Sequence, residues 1–393
     1  MSRAPLIIDA VRSPMGRGKS NGALASIHPV ELLAQLLSSL TQRTGIDPGL
    51  VDDVIIGCVS QVSEQSATPG RMALLAAGFP EHVPATTIDR KCGSSQQAIH
   101  FAAQGIAAGA YDLVIAGGVE SMSRVPMGSA RQQADPFGPS VRKRYSPGLV
   151  SQGVAAELVA GKWHISREEM DAYAMASHQR AATARDSGAF ATEIVPIVAD
   201  HGPVERDETI RGATTMDGLG VLEPAFRTDD NAARFPEINW GVTPGNSSQI
   251  TDGAAVVLLA SEAYAAKAGL TPRARFVSFD VRGDDPLLML TAPIEATRRV
   301  LAKGGLSLSD IDHFEINEAF ASVPLAWCMS LGADPSKLNP RGGAIALGHP
   351  LGASGARLMT TMVNALEQGG GRYGLQSMCE AGGMANATII ELI

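Results

Sequence analysis

Thr44-Gly45-Ile-Asp-Pro-Gly-Leu-Val-Asp-Asp-Val-Ile55 is echoed far down the chain by Gly304-Gly305-Leu-Ser-Leu-Ser-Asp-Ile-Asp-His-Phe-Glu315. Each stretch closes a helical pattern on glycine, passes through a short polar turn and opens an apolar run. The surroundings match too. Upstream, a strand pattern at 6–11 and a helix pattern at 29–43 correspond to a strand at 274–281 and a helix at 293–303. Downstream, strands at 54–58 and 314–316 each lead on to a small-residue helix and a further strand: 94–108 then 113–116, and 353–367 then 375–379. A strand at 86–88 follows the turn around Gly78 and Pro80, and Gly117-Gly118 makes a turn after the strand at 113–116. Two imperfect copies of one βα unit predict an α/β fold with mainly parallel sheets.

The texture between the copies differs, being rich in Gly, Pro and charge. It holds two helix patterns, 153–162 and 167–185, the second opened by Ser166 with Glu169 three residues on as a capping box. The division is therefore an N-terminal half at 1–119 together with 246–270, an inserted covering domain at 120–245, and a C-terminal half at 271–393. Covering segments of this length carry ligand contacts in many α/β proteins.

The 393 residues include 40 acidic and 32 basic side chains, a net charge of −8, with 45% apolar and 18% charged residues. Such a chain has ample apolar surface for a large core and is not disordered. With no Lys/Arg block, nucleic acid and anionic membranes are poor partners and small molecules better ones. No stretch approaches the ~18 uninterrupted apolar residues of a membrane span, the N-terminus lacks a signal-peptide core, and the C-terminus is no retention tail, so a cytoplasmic location is expected. Four scattered cysteines, Cys58, Cys92, Cys328 and Cys379, make no disulfide framework and are expected to be thiols.

Four motifs carry chemistry. In Asp89-Arg-Lys-Cys92-Gly-Ser-Ser-Gln-Gln-Ala the cysteine lies between a strand and a helix, where free amides and the helix dipole favour a thiolate. Alone, a cysteine at a helix start more often serves structure than chemistry. Asn339-Pro-Arg-Gly-Gly-Ala-Ile-Ala-Leu-Gly-His349-Pro-Leu-Gly-Ala-Ser-Gly-Ala-Arg holds a histidine in a glycine-rich turn before a helix, placed to accept a thiol proton. Its spacing fits neither a P-loop nor a dinucleotide fingerprint. Cys379-Glu-Ala-Gly-Gly-Met-Ala ends the last repeat strand, and Asn317-Glu-Ala-Phe-Ala321 follows the strand at 314–316. All four fall at the C-terminal ends of strands, where open α/β sheets bind ligands.

The ordered set C-G-S, N-E-A-F, G-H-P and C-x-x-G-G resembles the thiolase family across essentially the whole chain, including Gly245-Asn-Ser-Ser248-Gln-Ile-Thr-Asp-Gly253. The resemblance implies a five-layered αβαβα body that cleaves 3-ketoacyl-CoA with coenzyme A, or runs the reverse Claisen condensation. Coenzyme A is then a substrate, with no permanently bound cofactor and no metal, and the assembly a homodimer or homotetramer. Cys92 matches the acylated nucleophile, His349 its base, and Cys379 the second thiol that shuttles the α-proton. His349 and a water held by Asn317 match one oxyanion hole; the backbone amides of Cys92 and Ala381 match the other. Ser248, Arg211, Phe226 and Leu222 fall at coenzyme A contacts, and Gln152 and Phe320 at the acyl pocket. Two relatives by analogy stay open beside this reading: a short-chain acetoacetyl-CoA-forming acetyltransferase and a non-catalytic acyl-CoA or lipid binder. A ketoacyl synthase would need a second histidine where Asn317 stands.

Three places depart from the family pattern. Ser95 replaces the glycine usual in C-G-S-G and is expected to narrow the entrance slightly. Ala381 replaces a glycine, at a cost of about 1 kcal/mol if that position has φ > 0. Ser151-Gln152-Gly153 stands where many short-chain members carry a pocket-filling methionine, so a deeper tunnel is expected. Cys58 and Cys328 read as core thiols, and the histidines outside the motifs form no metal spacing. Glu318 either orients Asn317 or simply holds its loop. Arg142-Lys143-Arg144 reads either as a contact for coenzyme A phosphates or as a solvated charge run.

Overall fold

In the computed structural model, which describes residues 3–393, the two copies build two sheets with the same strand order, hydrogen-bonded edge to edge into one continuous ladder. The N-terminal copy comprises β1 (Pro5–Arg12), α1 (Pro29–Thr44), β2 (Asp53–Gly57), α2 (Pro69–Ala76), β3 (Ala85–Ile88), α3 (Ser94–Ala108), β4 (Leu113–Ser121) and β5 (Thr251–Ser261). Helices α4 (Gln152–Lys162) and α5 (Arg167–Asp186) lie in the segment between β4 and β5. The C-terminal copy comprises β6 (Ala274–Gly283), α6 (Ala292–Gly304), β7 (His313–Ile316), α7 (Ser322–Leu331), α8 (Ser354–Gly369), β8 (Tyr373–Glu380) and β9 (Met384–Leu392).

Across the first sheet the order is β3-β2-β4-β5-β1, and across the second β7-β8-β9-β6, with Leu338 adding a single parallel bridge beside Phe314 where β3 would have its counterpart. The sheets are mixed, a correction to the parallel expectation: β2 is parallel to β3 and β4, but β5 runs antiparallel to both β4 and β1. In the second copy β8 turns straight into β9 through residues 381–383, and a hairpin can only pair antiparallel. Strands β5 and β9 are nearly all buried, β9 with polar Asn386 and Thr388 inside, so no solvent-facing side marks either strand in sequence. Leu6 and Ile7 pair with Arg275 and Ala274, joining the two sheets at one seam.

Five layers result. Helices α1 and α2 cover the outer face of the first sheet with Leu32, Leu33, Leu36, Leu37, Leu40 and Leu74. Helices α3 and α8 fill the middle, sharing one apolar cluster with Ile7 and Val257 of the first sheet and Ile390 of the second. Helices α6 and α7 cover the far face, where Val300 and Trp327 pack with Phe314 and Leu375. The small-residue character of the middle helices has a steric origin: a Cβ added at Gly355 would come within 2.4 Å of the Gln96 backbone nitrogen, so the helices meet backbone to backbone. Each starts beside a strand end, which brings the 89–93 and 349–353 turns to the same edge of the body. Among the described residues no helix is long and apolar enough to cross a membrane.

Candidate active site

The turn before α3 is held by its own side chains. Asp89 accepts a hydrogen bond from the Lys91 amide at 2.6 Å and pairs with the Lys91 ammonium at 2.5 Å. Lys91 thereby sits at φ +49°, a left-handed conformation that costs an ordinary residue about 1–2 kcal/mol. The bend delivers Cys92, only 5% exposed, into a cluster with Met122, Leu351, Leu358 and Met378. Leu351 is two residues from His349 and Met378 adjoins Cys379, so this cluster links three of the four motifs.

Burial pushes the Cys92 thiol well above its ordinary pKa, and the neighbouring Cys379 and Glu380 push it the same way. The backbone amides of Cys92 and Ala381 act in the opposite sense, by hydrogen bonding to the sulfur. The expectation of a resting thiolate is corrected: in this apolar cluster desolvation outweighs the partial charge of a helix start. A thiol in this state could act as a nucleophile only beside a base.

His349 has the geometry of a proton acceptor. Its amide is held by Gln249 O at 3.1 Å and Thr251 Oγ1 at 3.0 Å, and its Nδ1 lies 2.6 Å from Ser354 Oγ. The Ser354 hydroxyl already donates to Pro350 O at 2.9 Å, so it accepts from Nδ1–H, which leaves the lone pair on Nε2. Nε2 is buried and has no hydrogen-bond partner among the described residues. Burial, with the Arg357 charge, lowers the ring pKa to about 3, so the imidazole is neutral throughout the physiological range.

Cys379 ends β8 and is raised to about 12, chiefly by burial. Asn317 extends β7 through its amide to Ser377 O at 3.0 Å, and its Nδ2 donates to Cys379 Sγ at 3.8 Å. Its Oδ1 has no partner among the described residues. Glu318 points the other way, into a buried network that orients the loop from beneath. Its Oε1 accepts from Tyr173 Oη at 2.9 Å and Asn339 Nδ2 at 3.0 Å; its Oε2 accepts from Ser177 Oγ at 2.7 Å and the Ile345 amide at 3.1 Å. Tyr173 and Ser177 lie on α5, so this carboxylate ties the inserted segment to both the Asn317 loop and the helix Ala344–Leu347 before His349.

Phe226, Phe320, Leu222 and Ala381 share one apolar cluster with Cys379, Leu219 and Ile345. Phe226 and Phe320 meet edge to face at 6.0 Å, and Phe226 lies so close to the start of α4 that a Cβ on Gly153 would fall 2.3 Å from its ring. Gln152 is half-buried at the first position of α4. The Ser248 amide donates to Ala319 O at 2.9 Å, which seats the 246–248 segment against the Asn317 loop. Arg211 hydrogen bonds Gln249 at 3.1 Å, and Gln249 in turn donates to Ile345 O at 2.9 Å.

Two departures are resolved by geometry. Ala381 is absent from the positive-φ residues, which here are Gly382 at +96° and Gly383 at +79°, so the alanine pays no left-handed penalty. Ser95 does not narrow any entrance: it is fully buried and accepts from the Ala356 amide at 2.9 Å, joining α3 to α8. Cys58 is buried, whereas Cys328 is half-buried and donates to Ala333 O. Arg142, Lys143 and Arg144 are exposed on the short helix Gly138–Arg144, with Arg142 paired to Asp135 at 3.0 Å. Among the described residues no three His, Cys, Asp or Glu side chains gather as a metal ion requires. Sequence reading missed Ser354, Thr251 and Gln249, all within reach of the G-H-P turn but silent as a pattern, and Tyr173, Ser177 and Asn339, which meet Glu318 only through the fold.

Comparison with known proteins agrees with this arrangement. The family model of the thiolase N-terminal domain matches residues 6–263, and that of the thiolase C-terminal domain matches residues 270–392. The chain is 49% identical over 393 aligned residues to the steroid 3-ketoacyl-CoA thiolase FadA6 of Mycobacterium tuberculosis, covering 98% of this chain and 93% of the relative. It is 43% identical to the 3-oxoadipyl-CoA/3-oxo-5,6-dehydrosuberyl-CoA thiolase of Escherichia coli over 100% of both. Among solved structures, the crystal structure of the Bacillus anthracis acetyl-CoA acetyltransferase superposes with a TM-score of 0.89 at 38% identity, covering 100% of this chain and 99% of that one.

Proposed function

The chain belongs to the thiolase family, and from that premise we propose that it cleaves 3-ketoacyl-CoA with coenzyme A to acetyl-CoA and a shortened acyl-CoA, or runs the reverse condensation, through an acyl group on Cys92. The observation that carries this reading is Cys92 lying under two backbone amides with a second thiol, Cys379, beside it. His349 Nε2 takes the Cys92 proton as the sulfur attacks the 3-keto carbon. The resulting oxyanion faces the amides of Cys92 and Ala381. As the carbon–carbon bond breaks, its electrons pass into the acetyl-CoA enolate. The protonated Nε2, now a donor, and a water held by Asn317 stabilise the enolate oxygen, and the Cys379 thiol protonates the enolate carbon. Cys379, left as thiolate, takes the proton of the incoming coenzyme A thiol. That sulfur then accepts the acyl group, and the departing Cys92 sulfur recovers its proton from His349. The acid–base work needs no bound cofactor.

Ser248, Arg211, Phe226 and Leu222 are assigned to coenzyme A, and Gln152 and Phe320 to the acyl pocket. The names of the relatives support ketoacyl chains bulkier than acetoacetyl. The division into 1–119 with 246–270, 120–245 and 271–393 is part of the same reading, supported by β4 and β5 being hydrogen-bonded neighbours on either side of the inserted segment. So are a cytoplasmic location and a homodimer or homotetramer, on family likeness. The test is adduct mapping: incubate with acyl-CoA, digest, and locate the added mass, which is expected on Cys92 alone. His349→Ala should slow that acylation by about 10²-fold or more, the scale of a lost general base. An adduct chiefly on Cys379, or none on an active enzyme, overturns the assignment.

A further inference from the structure

Glu380 follows Cys379 in the chain and its charge acts on both thiols, and the mechanism above does not use it. It is fully buried at the end of β8, and neither carboxyl oxygen has a hydrogen-bond partner among the described residues. Space is kept for it. A Cβ added at Gly93, the residue after the nucleophile, would lie 1.8 Å from Glu380 Oε1 and 2.6 Å from its carboxyl carbon. The groups that face it can be named. The turn before α3 contributes Arg90, Asp89 and the Cys92 sulfur, its own strand contributes Cys379, and β9 contributes the nearby Asn386 amide, which makes no full hydrogen bond to it. Arg90 attracts the carboxyl without making an ion pair, and its buried Nε has no partner among the described residues. Further along α3, His100 is neutral, lowered to about 3 by burial.

A buried, unpaired carboxyl is an unfavourable choice for packing alone. On the reading of Cys92 as nucleophile, we propose that Glu380 is a positioning residue whose carboxyl, pressed under the Gly93 turn, decides whether the Cys92 sulfur can carry negative charge. As a neutral acid it leaves the two amides free to stabilise a thiolate. As a carboxylate it adds a like charge beside both Cys92 and Cys379, and each thiolate becomes harder to form. Burial raises Glu380 to about 8, so its ionisation falls within the range of ordinary assays. The coupling is reciprocal, because a charged Cys92 also opposes ionisation of Glu380.

The test is the pH dependence of Cys92 alkylation by iodoacetamide between pH 6 and 10, followed on the Cys92 peptide by mass spectrometry with the full chain. For wild type, the logarithm of the rate should climb with unit slope, flatten into a shoulder as Glu380 ionises near pH 8, and climb again. Glu380→Gln should give one straight line and react about tenfold faster than wild type at pH 9.5, the effect of a one-unit like-charge shift. Glu380→Asp, with the carboxyl drawn back by one methylene, should keep a smaller shoulder. A straight line in wild type, or a shoulder that persists in Glu380→Gln, overturns the proposal. If the glutamine variant does not fold, an unchanged shoulder in Glu380→Asp overturns it instead. Acyl-CoA labelling of the same preparations separates the two claims. An acyl adduct on Cys92 with a straight alkylation line refutes the role of Glu380 alone, whereas the shoulder without any adduct refutes the nucleophile alone.

Discussion

Glu318→Gln is the smallest change that tests whether the inserted segment and the reacting loops form one unit. The glutamate presents four acceptor positions to four donors: Tyr173 Oη, Asn339 Nδ2, Ser177 Oγ and the Ile345 amide. Glutamine keeps one oxygen and turns an NH2 group toward the other pair. Whichever way the amide is placed, it opposes one hydroxyl, which can rotate, and one N–H, which cannot: Ile345 in one placement, Asn339 in the other. The second is milder, because Asn339 Nδ2 also reaches Tyr173 Oη at 3.1 Å and Ile316 O at 2.8 Å. The opposed donor then costs about 1 kcal/mol, and loss of charge on the remaining bonds adds about 1 kcal/mol, so the sum is about 2 kcal/mol. Because Asn317 adjoins Glu318 and Ile345 begins the approach to His349, kcat should also fall, by about tenfold or more for a sub-ångström misplacement. Urea unfolding of the full chain and thiolysis kinetics read the two effects, with Ser177→Ala, which removes the bond to Glu318 and the one Ser177 Oγ accepts from the Gly343 amide, as a control expected at about 2 kcal/mol. A Glu318→Gln chain within about 0.5 kcal/mol of wild type, at full kcat, would show that this carboxylate does not tie the inserted segment to the Asn317 and His349 loops.

Cys379→Ser should still take an acyl group from a plain acyl-CoA on Cys92 while losing exchange of the acetyl α-hydrogens with solvent; exchange at the wild-type rate removes Cys379 from the proton path. In the acyl pocket, each further buried methylene is worth ~0.8 kcal/mol, or about fourfold in kcat/KM, until the tunnel ends. Specificity should therefore rise from four-carbon to six- or eight-carbon 3-ketoacyl-CoA and flatten in Gln152→Met. An enzyme confined to acetoacetyl-CoA would instead be the short-chain acetyltransferase. Acid should destabilise the fold through three buried imidazoles, His349 and His100 lowered to about 3 and His178 to about 4. The unfolded chain binds these protons below about pH 6.5 and the native state does not, so this stability is whole above 6.5 and lost as pH falls toward 3. Each residue contributes a slope of up to ~1.4 kcal/mol per pH unit, and equal urea stability at pH 7.5 and pH 5 would contradict it.

Much of the protein is decided locally and so is readable along the chain. The duplicated helix–turn–strand text at 44–55 and 304–315 states the architecture, because glycine stops and apolar periodicity act over a few residues. Residues Cys92, Asn317 and Cys379 stand in short motifs near strand ends, and His349 in the turn between the helix Ala344–Leu347 and α8, a correction to the strand end expected for it; the local backbone sets their direction. What the chain order could not decide is every property that depends on a partner from elsewhere. The antiparallel strands β5 and β9 look like any buried run until the sheet pairs them. Ser95 looks like part of an entrance until α8 packs against it, and Ala381 looks strained until the turn is seen to place its positive φ at Gly382 and Gly383. The charge state of Cys92 is the sharpest instance. Sequence shows a cysteine at a helix start and argues for a thiolate, but the surrounding apolar cluster, Cys379 and Glu380 arrive from other strands and helices. Desolvation is a sum over those neighbours, fixed only when the chain has closed around the sulfur.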